Sequence, residues 1–365
     1  MTLPDIRIVQ NLLIILCFGT LLKCTPAQTE APVQKQALDL SHASRFGADY
    51  LKSGATEVKI NAPWSNSDST VVKTFNIDSG FTARAIVCLS ITHINMLSEL
   101  GLQDRIVGIP SYEDVFDDSL RNYFINKGVN EVGKGGDLNY ELLINLQPDL
   151  IIESAVGNSM DVNQKLEALG LRVILFSAHT ENHPLGRLEW IKYLSLFTKT
   201  ENVAFTLFNQ QADNYEKIKS QFNKRDSAPK FFVGYMWKDN WYVAGGNSYM
   251  AQFIKDAGGQ YILKEDTNPG NIKLSHETVI ELLQQCDIWL HPGSQMNTIS
   301  QLAELNLPPE YLGGRLRIYN NNRRLSQYGK NDFWQSGFVH PEKVLEDLRH
   351  IVMKNDSLNY YVQIK

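Results

Sequence analysis

Three histidines, His93, His179 and His291, each follow a segment that reads as a β-strand. Neutral imidazole is a common ligand for transition metals, so convergence of the three would make a direct zinc or manganese site. No HxH or HxxxH pair reinforces that reading, and isolated histidines at strand ends ordinarily form only local hydrogen bonds. Asp114, Asp117 and Asp118 make an acidic run whose simplest reading is a solvated loop. The motifs that usually assemble catalysis on an α/β sheet are missing: there is no GxGxxG behind a strand, no Walker A segment, no GxSxG elbow and no HExxH. An enzyme is therefore the least favoured class, and neither a catalytic residue nor a resident cofactor is expected.

The 365 residues are 43% hydrophobic and 21% charged, enough for a sizeable core and long for a single one. A net charge of −5 gives no general attraction to nucleic acid, which is not expected as a partner. At the N-terminus Arg7 precedes an apolar run over residues 12–22, the length of a signal-peptide core and short for a bilayer span. The run ends at Lys23-Cys24, and a cysteine in that place resembles the lipobox of bacterial lipoproteins, although Lys23 stands where a small residue is expected. Acylation at Cys24, ordinary cleavage and a retained anchor are the alternatives. Residues 25–54 are assigned to a flexible tether, its start (TPAQTEAPVQKQ) being polar and without periodicity. Processing would remove Cys17 and acylation would use Cys24, leaving Cys88 and Cys286 in apolar runs as small buried hydrophobes.

Strands are expected at 57–61 and 71–77, then an alternation of short strands and helices from 85 to 176 that argues for a parallel sheet with helices on both faces. A helical pattern without interior proline runs from 184 to 222, with polar residues 199–201 as its one place to break. A second strand-and-helix unit follows, ending in a helix over 341–352. The expected fold is α/β: two doubly wound Rossmann-like lobes, 55–184 and 224–365, joined by one long rigid helix over 185–223. Ligands of such open sheets bind beyond the carboxyl ends of the strands.

Several segments carry a family resemblance in order: IVCLSITHINMLSELGLQDRIVG, DLNYELLINLQPDLII, GRLEWIK, WYVAGGNSYMAQFIKDAGG and NDFWQSG. The chain resembles the solute-binding proteins of ABC importers for vitamin B12 and iron-siderophores, the class III periplasmic binding proteins. With Tyr319-Asn320-Asn321-Asn322 it looks most like lipoproteins of Bacteroidetes-type bacteria. The resemblance implies capture of a bulky metal chelate (a ferric siderophore, haem or cobalamin), delivery to a permease dimer, a lipid-anchored location in the periplasm or cell envelope, and a monomer.

In that family a carboxylate at the start of a helix on each lobe engages permease arginines, and the matching residues are Glu141 and Glu277. Asn139 and Ser275 are good helix caps, and a first-turn glutamate suits the helix dipole, so a local role alone would account for either; the shared position in both lobes favours docking. The ligand is expected between the lobes, against Thr92, His93, Tyr112, Lys134, Gly135, Gly136 and Ser154 of the first and Trp237, Lys238, Trp241, Asn271, Arg323 and Arg324 of the second. The aromatic residues suit a flat macrocycle and the basic ones its anionic groups. Gly135 and Asn271 stand where B12-binding relatives place stacking tryptophans, a departure that Trp237 and Trp241 could offset.

Overall fold

The computed structural model describes residues 36–61, 71–154, 159–221, 228–294 and 296–365, and residues 35–365 form one compact unit. The expected leader and Cys24 lie outside the described residues. An antiparallel meander opens the fold, in the order β1 (Gln36–Ala37), β2 (Phe46–Tyr50), β3 (Thr56–Asn61) and β4 (Val71–Ile77). The first lobe is a parallel sheet of β5 (Ile86–Cys88), β6 (Ile106–Ile109), β7 (Asn130–Glu131), β8 (Leu150–Ser154) and β9 (Val173–Phe176), ordered 7-6-5-8-9. Its helices are α1 (Ile91–Glu99), α2 (Asp118–Lys127), α3 (Tyr140–Leu146) and α4 (Ser159–Ala168). Two helices, α5 (Pro184–Thr198) and α6 (Glu201–Ser220), lead to the second lobe.

That lobe holds β10 (Lys230–Trp237), β11 (Asn240–Ala244), β12 (Gln260–Tyr261), β13 (Asn271–Leu274), β14 (Ile288–Leu290), β15 (Arg317–Asn320) and β16 (Val362–Gln363) in a mixed sheet ordered 13-11-10-14-15-16, with β12 also on β10. Its helices are α7 (Tyr249–Asp256), α8 (His276–Gln284), α9 (Ile299–Ala303), α10 (Ser336–Val339) and α11 (Pro341–Met353). The central parallel strands of each lobe are apolar on both faces, as buried parallel strands must be. Ile86 and Cys88 turn to one cluster and Val87 to another; Phe231 and Val233 likewise oppose Phe232. The cluster on the inner faces runs without interruption from the small meander through α5 into the second sheet, so the two lobes share one core.

The fold departs from expectation in two places. The segment assigned to a tether over 25–54 is ordered from Gln36, and residues 41–45 are held by two buried carboxylates far away in sequence. Glu189 accepts the backbone N–H groups of Ser41, His42 and Ala43 at 2.7–2.9 Å, and Glu181 those of Ser44 and Arg45 at 2.9–3.0 Å. Local composition carries no sign of such long-range partners. Gly186 makes room for this strap: a Cβ there would stand 2.9 Å from the carbonyl oxygen of His42.

The linking helix is also not one helix. It ends at Lys199, in the left-handed conformation at φ 56°, and α6 restarts at Glu201. Lys192 then lies over Phe205 and Phe208 at 4.5 and 4.3 Å, while His183 reaches Tyr215 with ring centroids 6.1 Å apart. Contacts that pair residues symmetrically about Lys199 define an antiparallel helical hairpin. The acidic run is resolved too: Asp117 caps α2 through the N–H of Leu120 at 2.7 Å, Asp118 pairs with Arg121, and Asp114 holds two lysines.

Candidate binding cleft

A cavity of about 460 Å³ opens at the seam between the lobes. The linking side contributes His179 and Thr180, which follow β9, and Arg187 from the first turns of α5. The second lobe contributes Tyr235 near the end of β10, Tyr242 on β11, Ser248 and Tyr249 at the start of α7, Asn271 on β13, His291 after β14, and Trp334. The carboxyl ends of β9, β10 and β14 thus meet the cavity, which is where open parallel sheets bind ligands.

The aromatic wall comes from a hairpin. β10 turns into β11 through Lys238-Asp239, both at positive φ (46° and 59°), the two-residue turn whose twist suits antiparallel strands. Tyr235 pairs across the strands with Tyr242, and their rings stack 5.7 Å apart at 19°. Trp237, two residues on and therefore on the same face, tilts against Tyr242 at 6.0 Å and is 55% exposed. Trp241 pairs with Met236 on the opposite face and is 1% exposed, against Phe232 and Trp289, with its indole N–H donating to His276 Nδ1 at 3.1 Å.

The floor is fixed by close backbone approach. A Cβ on Gly245 would lie 2.3 Å from the carbonyl oxygen of Asn268, and one on Gly246 2.0 Å from that of Leu263. Only glycine lets this loop lie against the segment that carries Pro269 and Gly270 to the cavity. His291 is held at φ 58°, stacks on Tyr361 at 5.5 Å and shares a 2.8 Å hydrogen bond with its hydroxyl. Burial pulls its pKa to about 3, so it faces the cavity as a neutral ring.

Of the residues expected to touch a ligand, Asn271 lines this cavity and Trp237 stands beside it. Trp241 belongs to the core, because a one-residue step along a strand reverses the face. His93 is fully buried, edge-on to Phe176 and 3.1 Å from Ser154 Oγ; burial holds it neutral with a pKa of about 3. Thr92 sits in the first turn of α1, and exposed Lys238 covers Trp237 from the turn. Gly135 and Gly136 form an exposed 3₁₀ turn away from the cavity lining.

Tyr112, Lys134, Arg323 and Arg324 gather instead around a direct contact between the lobes. Asp114 accepts Lys134 of its own lobe and Lys330 of the other, each at 2.8 Å. The Gln335 side chain donates to the Asp114 carbonyl at 2.7 Å and accepts the Phe116 N–H at 2.8 Å. Arg324 pairs with Asp332 at 3.0 Å and lies over Phe116, while the Tyr112 hydroxyl donates to the Val129 carbonyl. Arg323 is exposed, and its N–H donates to the Tyr360 carbonyl at 3.0 Å.

Glu141 and Glu277 are exposed and occupy the second position of α3 and α8. Asn139 and Ser275 cap these helices as their types predict, accepting the N–H of Leu142 at 3.0 Å and of Thr278 at 3.2 Å. The Glu277 carboxyl is held below its usual pKa by its own N–H and the Ser275 hydroxyl. Among the described residues no group of three or more His, Cys, Asp or Glu side chains is placed to hold a metal ion, and His93, His179 and His291 do not converge into one. Cys88 and Cys286 are free and buried, with thiol pKa values raised by burial.

Sequence reading missed Arg187, Tyr235, Tyr242, Tyr249 and Trp334. The alternation 235, 237 along β10 could have found Tyr235, but recognising Tyr242 as its partner needs the turn type and register.

Two doubly wound lobes, a helical connection and a cleft between them define the class III binding-protein architecture. The chain belongs to the periplasmic binding protein family, whose shared region matches residues 86–311. An uncharacterized lipoprotein of Methanocaldococcus jannaschii is 28% identical over 278 residues, covering 73% of this chain and 64% of that protein, so the chain spans less than two thirds of that relative's length. Many solved structures share the fold, three of them as follows. A periplasmic heme-binding protein from Pseudomonas aeruginosa has a TM-score of 0.52 and 18% identity, over 78% of this chain and 98% of that one. The vitamin B12-binding protein of Vibrio cholerae has 0.51 and 17%, over 75% and 98%. A siderophore-binding protein from Vibrio cholerae with bound Fe3+-Desferal has 0.53 and 16%, over 74% and 99%.

Proposed function

We propose that the protein is the extracytoplasmic solute-binding component of an ABC importer that captures a bulky metal chelate (haem, a ferric siderophore or a cobalamin-type ligand) without transforming it. The observation that carries this reading is the cavity at the lobe seam with its stacked Tyr235–Tyr242 wall. Flat, apolar ligand surface suits such a wall, and aromatic contacts add about 0.5–1.5 kcal/mol each beyond the area they bury. The fold-mates bind ligands of these three kinds, and the archaeal relative is a lipoprotein, which supports a lipid anchor at Cys24 and an envelope location.

Glu141 and Glu277 are the contacts for the permease dimer in this reading. They are solvent-facing, at equivalent helix positions, one on each lobe. Direct capture of zinc or manganese is the weaker alternative, since no ligand cluster supports it among the described residues.

Quenching of tryptophan fluorescence tests the ligand, because Trp237 and Trp334 flank the cavity. Haemin, cyanocobalamin, several ferric siderophores and zinc form the panel. Saturation by one chelate is expected; a response to zinc alone would replace the chelate reading with metal capture, and silence toward all would remove both. For docking, a Glu141→Ala/Glu277→Ala protein should keep ligand affinity and lose transport, and unchanged uptake would exclude these residues.

A further inference from the structure

A guanidinium stays charged at physiological pH, and taking it out of water is costly unless a counter-charge meets it. Elsewhere the chain supplies one: Asp118 for buried Arg121, Glu189 for buried Lys192, Asp332 for Arg324. Arg187 has none. Its Nε is shut off from solvent without a hydrogen-bond partner, and among the described residues the one group that acts favourably on its charge is the Tyr249 phenol, which also hydrogen-bonds to the guanidinium. The guanidinium lies over the rings of Tyr249 and Phe338, 3.9 and 4.4 Å from their centres, so what it can offer a ligand is its hydrogen-bonding edge. Arg187 lines the cleft cavity, and among the described residues no aspartate, glutamate or lysine shares that lining.

We propose that Arg187 is the receptor for a carboxylate on the ligand, and that the cargo is therefore a carboxylate-bearing molecule whose apolar face lies on Tyr235 and Tyr242. The inference rests on the reading that this cavity holds the cargo. A carboxylate in the cavity would bring the guanidinium its missing counter-charge, with two oxygens that match the paired N–H donors of its outer edge. One positive charge balances one carboxylate; a phosphate monoester carries about 1.5–2 negative charges at neutral pH and would be left partly uncompensated. An amide-rimmed or neutral chelate would leave the guanidinium without a counter-charge.

Benzoate, its uncharged isostere benzamide, and phenyl phosphate separate these cases when titrated into the full chain. Binding is followed by tryptophan fluorescence and by the Nε–H resonance of Arg187 in protein labelled with 15N-arginine, assigned from its loss in Arg187→Lys. Benzoate should move that resonance and bind roughly ten- to a hundredfold more tightly than benzamide, the scale of a charge-assisted hydrogen bond. Arg187→Gln should abolish the preference for benzoate over benzamide. Equal binding of benzoate and benzamide, no binding of benzoate, or tighter binding of phenyl phosphate would each overturn the assignment. The comparison in unmodified protein decides the matter even if Arg187→Gln fails to fold. A protein that prefers benzoate yet ignores every metal chelate would retain the carboxylate receptor and lose the importer cargo; chelate binding without carboxylate preference would do the reverse.

Discussion

Trp241 and Tyr242 are consecutive residues whose removal should have opposite consequences. Trp241→Ala empties the core between Phe232 and Trp289 and leaves the His276 Nδ1 partner unmet. It should cost about 3–5 kcal/mol, read as a fall in denaturant midpoint. Tyr242→Ala removes half of a stacked pair at the cavity and should weaken chelate binding severalfold with a far smaller change in midpoint. Equal destabilisation by the two would contradict the assignment of faces. The contrast also shows how far the site was legible. Residue type marked the aromatic and basic candidates, and the helix caps Asn139 and Ser275 were legible because capping depends on neighbours within one turn. Facing was not legible, since it follows from strand register, and neither was Arg187, whose significance lies in a missing partner.

At the scale of elements, the informative helix is α5, in which every described residue but one is buried. Its Trp190 is clasped by Phe46 of the meander at 4.9 Å and Phe176 of the first sheet at 5.0 Å. A helix covered all round must pair its own polar groups, which Glu189 and Lys192 do at 2.7 Å, the lysine also donating to the Asp39 carbonyl at 3.1 Å. Glu189→Ala would strand Lys192 and three backbone amides, so a loss of about 3–5 kcal/mol is expected. Thermal unfolding of the variant, followed beside the unmodified chain, checks it, and a change within ordinary surface values would mean that residues 41–43 find other partners. The strand at 71–77 was readable from its composition and flanking turn, and the structure keeps those bounds. The strap was unreadable because its contacts span more than a hundred residues, whereas the break at Lys199 falls where the polar residues 199–201 marked the one place for it.

For the whole molecule, titration of the histidines sets where stability peaks. Burial lowers the pKa of His93 and His291 to about 3 and of His183 to about 4, so each supports the fold fully above its ordinary value of 6.5 and loses that support as pH falls. His340 is the opposite case, raised to about 9 by its bonds to Glu342 and Glu99, the latter on the first lobe; its support is full below 6.5 and disappears as pH rises through about 9. Melting temperature against pH should therefore crest near neutrality and fall on both sides, and His340→Gln should flatten only the alkaline arm. A monotonic profile would refute the pairing. The shared core and the Asp114 contact bind the lobes into one piece, so small adjustments at the seam are expected in place of a wide hinge. The meander has a consequence for how this molecule can be shortened or inherited. It lies before residue 86, where the shared family region begins, yet the interior of the linking helix is completed by it. What sequence kinship draws as an optional prefix is, physically, one wall of the house: a gene trimmed to its shared region would encode a chain with two buried carboxylates facing water and no closed interior to fold around.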